Sequence, residues 1–276
     1  HTTQQNIYWA TDSYADRGEG YQFKDAIIAD SITGDNGMII RPRSVKSKDE
    51  QTKRSKDMAE VFTPSWVCNA QNNLIDDAWF GKQGVFNAES PEHTWKATTG
   101  KIEFPEGKTW KDYVRDTRLE ITCGEAPYLV SRYDTVSGMP IELAERIGLL
   151  DRKLRVVSEN TETTGEFLDW CQEAYKNTYG YEWQGDNLLL AREALLFTFL
   201  DYYRAKFGEE PLLKSIQYIA YIISWNVWQM DGLKFCPPGE EPCEGDLFNP
   251  SNLCLIRDWR KPRDKQKIYF KSLLKS

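Results

Sequence analysis

The chain is poor in histidine, has no paired cysteine spacing and contains no long apolar run. Only His1 and His93 occur in its 276 residues. Neither adjoins a nucleophile motif, which argues against Ser-His-Asp and Cys-His chemistry. Six cysteines stand at 68, 123, 171, 236, 243 and 254, without the Cys-x-x-Cys pairs of a zinc site. No metal is therefore expected, and reduced thiols fit better than a disulfide framework. No stretch approaches the roughly 18 apolar residues of a membrane helix, and no leader with a charged, an apolar and a cleavage region opens the sequence. A cytoplasmic protein with no membrane partner is expected. A metal-dependent nuclease needs only carboxylates and a lysine, but no Asp-x(n)-Glu-x-Lys arrangement sits on a strand pair, and the glutamates at 240–244 read as a solvated loop.

What is present is 40% hydrophobic and 13% aromatic content, enough to bury the core of one large domain, or of one domain with a smaller appendage. The net charge of −7 gives no whole-chain attraction to nucleic acid. Its distribution is uneven, because Arg41, Arg43, Lys46, Lys53 and Arg54 fall within a basic stretch over 41–56. Such a stretch is either a solvated linker or an arm that tracks phosphates.

Punctuation and periodicity order the elements. Residues 1–58 read as a polar N-terminal extension, with a strand pair at 26–28 and 38–40 around a turn at 34–37. A helix over 64–77 is expected to bury Trp66, Val67, Ala70, Leu74 and Ile75. Residues 81–108 are loop-rich, and a strand follows at 118–122. Helical patterns then start at Pro140, run over 151–159, and follow Thr164 as a cap with Phe167, Leu168, Cys171 and Ala174 inward. Together they read as an inserted helical layer over 134–178. A long helix over 187–207 stops at Gly208, another spans 212–223, a strand spans 226–230, and one more strand fits within 267–274. The alternation argues for a parallel α/β sheet.

Several boundaries carry chemistry. Leu119-Glu120-Ile121-Thr122-Cys123-Gly124 brings a strand to a tight turn, where a ligand can approach the backbone. Glu182 ends the next strand with Trp183 beside it, where a carboxylate can accept from ribose hydroxyls. The run from Asn226 to Met230 ends in Asp231, a further acceptor at a strand end. Upstream lies Glu60-Val61-Phe62-Thr63-Pro64-Ser65-Trp66-Val67, where Pro64 starts a helix and Thr63 serves as its N-cap with a hydroxyl facing the cleft. Singly, each is an ordinary turn, strand end or helix start. Together they fall where open α/β sheets place ligands.

In this order the segments resemble the cofactor half of adenine-N6 DNA methyltransferases of restriction-modification systems. In that family the first strand ends close to Asp-Pro-Ala-Cys-Gly-Ser-Gly and a Phe-Thr-Pro segment precedes it. The resemblance implies a Rossmann-like methyltransferase sheet within 59–276, and S-adenosylmethionine as cofactor. Phe62, Thr63, Pro64, Glu120 and Thr122 would line that cofactor together with Cys123, Gly124, Glu182, Trp183 and Asp231. It also implies DNA as a partner, with Arg41, Arg43, Lys53 and Arg54 on its phosphates.

The family's Asp/Asn-Pro-Pro-aromatic motif, which holds the target amine of a flipped base, is not found. Cys236-Pro237-Pro238-Gly239 lacks the acceptor. Asn249 precedes a single proline, and Asp258 with Trp259 follows an apolar run. Position favours Asp258 as acceptor and Trp259 as stacking ring, with Asn249 second. Glu120 and Glu182 are 62 residues apart, against about 20 in a plain strand-helix-strand unit. Only twenty residues follow Ile256, so the sheet reads as truncated. The expectation is an S-adenosylmethionine-binding protein. The alternatives are a catalytically silent or regulatory DNA-binding subunit completed by a second protein subunit, and a restriction nuclease subunit.

Overall fold

The N-terminal segment, read as a polar extension, carries a small core of its own. In the computed structural model, which describes residues 6–58, 60, 63–245 and 251–275, Trp9 is fully buried with Tyr14 and Ile39. Its ring lies 4.5 Å from that of Tyr14, and its Nε1 donates to Gly20 O at 2.9 Å. The strand pair expected at 26–28 and 38–40 does not form. Ala29–Ile32 is a short helix, α1, and a 3-10 turn follows at Gly34–Asn36. Thr33 Oγ1 donates to Ala29 O at 2.8 Å and Asn36 Nδ2 to Asp30 O at 3.1 Å. These local bonds compete with a strand ladder for the backbone.

The basic stretch is not a free arm. Lys48–Met58 is a helix, α2, opened by reciprocal bonds between Ser47 and Glu50, the capping box that a serine three residues before a glutamate encodes. Arg54 is only 4% exposed and its guanidinium binds Glu60, Gln184 and Asp186. Lys46 is buried beside Asp186 at 3.4 Å. Arg41 pairs with Glu50, and Lys53 is exposed. Arg43 Nη1 donates inward to Glu60 O at 2.7 Å.

Helix α3 spans Ser65–Phe80. Pro64 precedes it, and no side chain caps it; the Ser65 N–H is taken by Asp134 Oδ2 at 2.7 Å instead of by Thr63. The helix ends at Gly81, in the left-handed conformation with φ 69°, which glycine adopts without steric cost. Its buried face is the opposite of the apolar one expected. Cys68, Asn69, Asn72, Asp76 and Phe80 point inward, while Trp66 and Ile75 are 40% and Leu74 67% exposed. The polar row answers buried groups elsewhere. Arg152 donates to Asp76 at 2.6 Å and to Asn69 at 3.0 Å, and Asn72 Nδ2 donates to the carbonyls of Tyr128 and Ile147. A buried guanidinium needs such partners more than the helix needs to bury Leu74.

The stretch over 81–108 holds an antiparallel hairpin of β1 (Asn87–Ser90) and β2 (Thr94–Ala97). Helix α4 (Trp110–Arg115) follows, with a Thr109–Asp112 capping box. Strand β3 (Arg118–Ile121) leads through a long crossover to α5 (Leu149–Asn160) and α6 (Thr164–Lys176). The cap of α6 is Thr163, not Thr164; Phe167, Cys171, Ala174 and Tyr175 are its buried residues, while Leu168, also expected inward, is half-buried. The pattern at Pro140 yields only a 3-10 turn at Leu143–Glu145. Then come β4 (Thr178–Glu182), α7 (Gly185–Phe207), α8 (Leu213–Asn226) and β5 (Val227–Gln229). The crossover helices are integral to the fold, since Leu154 and Phe167 share one core with Leu188, Phe199 and Ile222.

Strands β3, β4 and β5 form a parallel sheet in that order. Glu120 lies opposite Gly180, and Gly180 opposite Val227. A Cβ at Gly180 would sit 3.2 Å from that of Cys123, so the absent side chain makes room for the turn after β3. The last strands, β6 (Leu255–Arg257) and β7 (Lys267–Tyr269), pair antiparallel in a separate sheet. The result is a mixed α/β fold with small sheets. Among the described residues no helix is long and apolar enough to cross a membrane, and all six cysteines are free thiols.

Asp186, in the first turn of α7, is fully buried and meets Arg54 Nη1 at 2.9 Å, Lys46 and the Tyr14 hydroxyl. Asp186→Ala would leave two buried cations short of an acceptor, and a loss of about 3–5 kcal/mol is expected. Urea unfolding followed by tryptophan fluorescence measures it. A loss under about 1 kcal/mol would mean that the cluster behaves as a surface ion pair.

Candidate functional site

Four of the segments singled out in the sequence meet at the carboxyl-terminal end of the β3-β4-β5 sheet. Cys123 N donates to Tyr181 O at 2.8 Å, which carries the β3-β4 pairing past the strand, and the chain then turns through Gly124 at φ 52° and Ala126 at φ 62°. Ala126 is fully buried, and its N–H closes the turn on Cys123 O at 2.6 Å. Glu120 points from β3 into this turn and accepts from Tyr128 N at 3.3 Å and Leu129 N at 3.2 Å. Thr122 is exposed beside it. The Thr63–Pro64 segment lies against the same loop, where Thr63 O accepts from Thr135 Oγ1 at 3.1 Å.

Glu182, at the tip of β4, is buried and latches the turn. Its Oε2 accepts from Gly124 N at 2.8 Å and its Oε1 from Gln184 N at 3.1 Å. Burial pushes the Glu182 carboxyl up against the opposing pull of these backbone N–H groups. Burial likewise raises Glu120 well above the usual carboxylate range and holds the Cys123 thiol protonated, so Cys123 is not a nucleophile. Beyond β5, Asp231 Oδ1 accepts from Leu233 N and Lys234 N at 2.8 and 3.1 Å, and closes a tight turn.

Residues 8–10 cross this end of the sheet. Gln229 of β5 exchanges bonds with both backbone groups of Tyr8 and donates to Trp183 O at 2.8 Å. Gly185 N donates to Trp9 O, and Trp183 Nε1 to Ala10 O. A Cβ at Gly185 would lie 2.2 Å from Tyr8 O, so only glycine permits this approach. Below the segment sits the Arg54–Glu60–Asp186 cluster. Burial pushes the Asp186 carboxyl up, but Arg54 and Lys46 hold it below the usual range. Two acceptors here are buried without a donor, Glu60 Oε1 and Asn187 Oδ1. Glu60 Oε2 already accepts from Asn187 Nδ2 at 3.2 Å, so the two residues are neighbours.

The residues expected to hold the target amine lie elsewhere. Trp259 Nε1 donates to Asn226 Oδ1 at 2.8 Å, and Asn226 precedes β5. Asp258 shares a small cavity with Thr117 and Tyr179, which lie at the starts of β3 and β4. Asp258 is paired with Arg260 at 2.9 Å. The pair thus occupies the amino-terminal end of the sheet, roughly a strand length, or about 13 Å, from the turn after β3. Phe62 and Asn249 lie outside the described residues.

Sequence reading missed Gln229, Gly185, Asp186 and the Trp9 segment. The aspartate at the start of a long helix was a visible signal, since first-turn carboxylates favour helix N-termini; its partners were not visible. Compared with known proteins, no family model, no curated protein and no solved structure matches this chain.

Glu120 gives a test of this electrostatic picture. Its folded pKa lies above the ordinary 4.5, so above that pH the folded state holds a proton the unfolded state has lost. Stability therefore falls as pH rises through the raised value. Thermal melts of Glu120→Gln should decline less steeply from about pH 5 to 8 than those of the parent. Equal slopes would show that Glu120 ionises normally.

Proposed function

We propose that the carboxyl-terminal end of the β3-β4-β5 sheet binds a nucleoside cofactor of the S-adenosylmethionine type, within a Rossmann-like methyltransferase fold related to adenine-N6 DNA methyltransferases. The observation that carries this reading is the pair of donorless buried acceptors, Glu60 Oε1 and Asn187 Oδ1, beside the Gly124 turn. Buried acceptors without donors are costly, and a ligand rich in ammonium, amine and hydroxyl donors relieves that cost. The strand order supports the reading, because ligands of open α/β sheets sit outside the carboxyl ends of the strands.

The residues present fit such a ligand. Glu182 and Asp231 retain acceptor capacity, since a carboxylate offers about four lone-pair sites, of which the backbone N–H groups of Gly124, Gln184 and Trp183 engage Glu182 and those of Leu233 and Lys234 engage Asp231. Glu182 would take ribose hydroxyls, with Trp183 on the adenine. Asp231 would take the exocyclic amine, and Thr63, Pro64, Cys123 and Gly124 would line the methionine side. When bound, the cofactor supplies an electrophilic methyl group. Residues 8–10 would form the outer wall and exclude water.

Methyl transfer also needs an amine held in line with that methyl. Asp258 and Trp259, at the far end of the sheet, do not stand near it. This separation favours the reading as a cofactor-binding subunit that is catalytically silent alone and takes its acceptor loop from a second protein subunit. DNA remains the partner this reading implies. Of the four basic residues named for its phosphates, Arg54 turns inward to Glu60 and Asp186, so Arg41 and Lys53 are better placed.

Calorimetry should detect S-adenosylmethionine or its demethylated product. Glu182→Ala and Asp231→Ala should each weaken binding roughly 10- to 100-fold, as loss of hydrogen bonds to a charged acceptor does. Transfer of tritiated methyl to duplex DNA by the isolated chain should stay near background. Absence of binding at millimolar ligand, or unchanged affinity in both variants, overturns the assignment; robust transfer would instead reveal an active enzyme.

A further inference from the structure

A basic surface lies at the opposite end of the sheet from the proposed cofactor site. Residues 257–267 carry six basic side chains against Asp258 and Asp264, within a chain of net charge −7. Asp258 is already neutralised by Arg260. Lys261, Arg263 and Lys265 are exposed and form no ion pair among the described residues. Unlike Arg54 and Lys46, which are buried, these cations are presented to solvent.

Arg263 lines, and Lys261 and Lys265 flank in sequence, a polar cleft of about 390 Å³ formed by the end of α6, the outer face of α8 and the loop after β6. Its walls are aromatic. Tyr218 and Tyr221 stack with centroids 6.2 Å apart and planes 22° from parallel, and Tyr218 is 37% exposed. The Trp259 indole is fixed by its bond to Asn226, with the Arg257 guanidinium 4.3 Å from its ring centroid. The loop itself is rigid. Buried Gln266 accepts from Arg257 Nε at 2.6 Å and donates to the carbonyls of Lys261 and Trp259. The polar groups that build the cleft are thereby satisfied among themselves, and the protruding lysines and arginine are left to an outside anion.

We propose that this cleft binds single-stranded nucleic acid. Lys261, Arg263 and Lys265 take successive phosphates, and one unstacked base lies against Tyr218 and Trp259. A basic track beside aromatic platforms is the combination that single strands require. A duplex offers the phosphates but keeps its base faces stacked, and an acidic peptide offers charge without a ring to stack. The inference does not rest on the cofactor reading, since the two sites lie at opposite ends of the sheet.

The test is fluorescence anisotropy of a labelled oligothymidylate with the full chain and no cofactor. Three neutralised phosphates predict a log-log salt slope near −2, at about −0.7 per phosphate on single strands. Arg263→Gln with Lys265→Gln should remove about two-thirds of that slope. Tyr218→Ala should weaken binding roughly 5- to 150-fold with little change in slope, the range for loss of one stacked base. Lys82→Gln, exposed just after α3 and outside the lining of the cleft, should change neither. Thermal melts of each variant confirm folding; the substituted side chains are exposed. The proposal is overturned if the oligonucleotide does not bind at low salt, or if duplex of equal charge or polyglutamate competes equally well. It is also overturned if folded variants bind like the parent.

Discussion

Asp186 is completely buried, yet its charge partners Arg54 and Lys46 come from 132 and 140 residues earlier in the chain. A carboxylate in that position is tolerable only with matched cations and satisfied lone pairs. Tyr14, Arg54 and Lys46 supply them, so the N-terminal segment and the first turn of α7 must be placed together. Much of the candidate site follows. Once Arg54 is drawn inward, Glu60 comes with it at 2.6 Å, and residues 8–10 settle across the tips of β4 and β5. An element that reads as an appendage becomes one wall of the sheet's carboxyl-terminal end.

The two ends of the sheet have opposite electrostatic character. At the carboxyl-terminal end, Glu120, Glu125 and Glu182 are buried acceptors whose proton affinity is raised by burial. Such an end suits a ligand that brings donors or positive charge. At the amino-terminal end, the loop after β6 exposes cations beside indole and phenol rings, which suits an extended polyanion with flat bases. The distance between the ends also sets Asp258 and Trp259 apart from the turn after β3, despite their place in the sequence.

Local signals in the sequence locate most of the regular structure. A helix expected over 187–207 is α7, Gly185–Phe207, with Gly208 as its stop. The strand at 118–122 is β3, and Glu182 does end β4. Helix α3 shows where such reading fails. Its start after Pro64 is legible and its end, expected at 77, comes at Phe80, but the side it buries is not legible. Apolar periodicity assigns Trp66, Leu74 and Ile75 to the core, whereas Asn69, Asn72 and Asp76 occupy it because Arg152 and two backbone carbonyls are already there.

By itself, then, the sequence determines the limits of the longer elements such as α7, the tight turn at Cys123-Gly124 and the carboxylates at the strand ends. These depend on sterics, hydrogen bonding and side-chain period within a few residues. Tertiary structure alone decides that Arg54 is structural while Arg263 is exposed, that Glu182 latches Gly124, and that Trp259 sits at the end of the sheet away from Glu182. Each of these turns on whether a charge or a polar group finds its partner on burial. That partner lies up to about half the chain away, and neither its presence nor the desolvation cost it offsets is written in the local pattern.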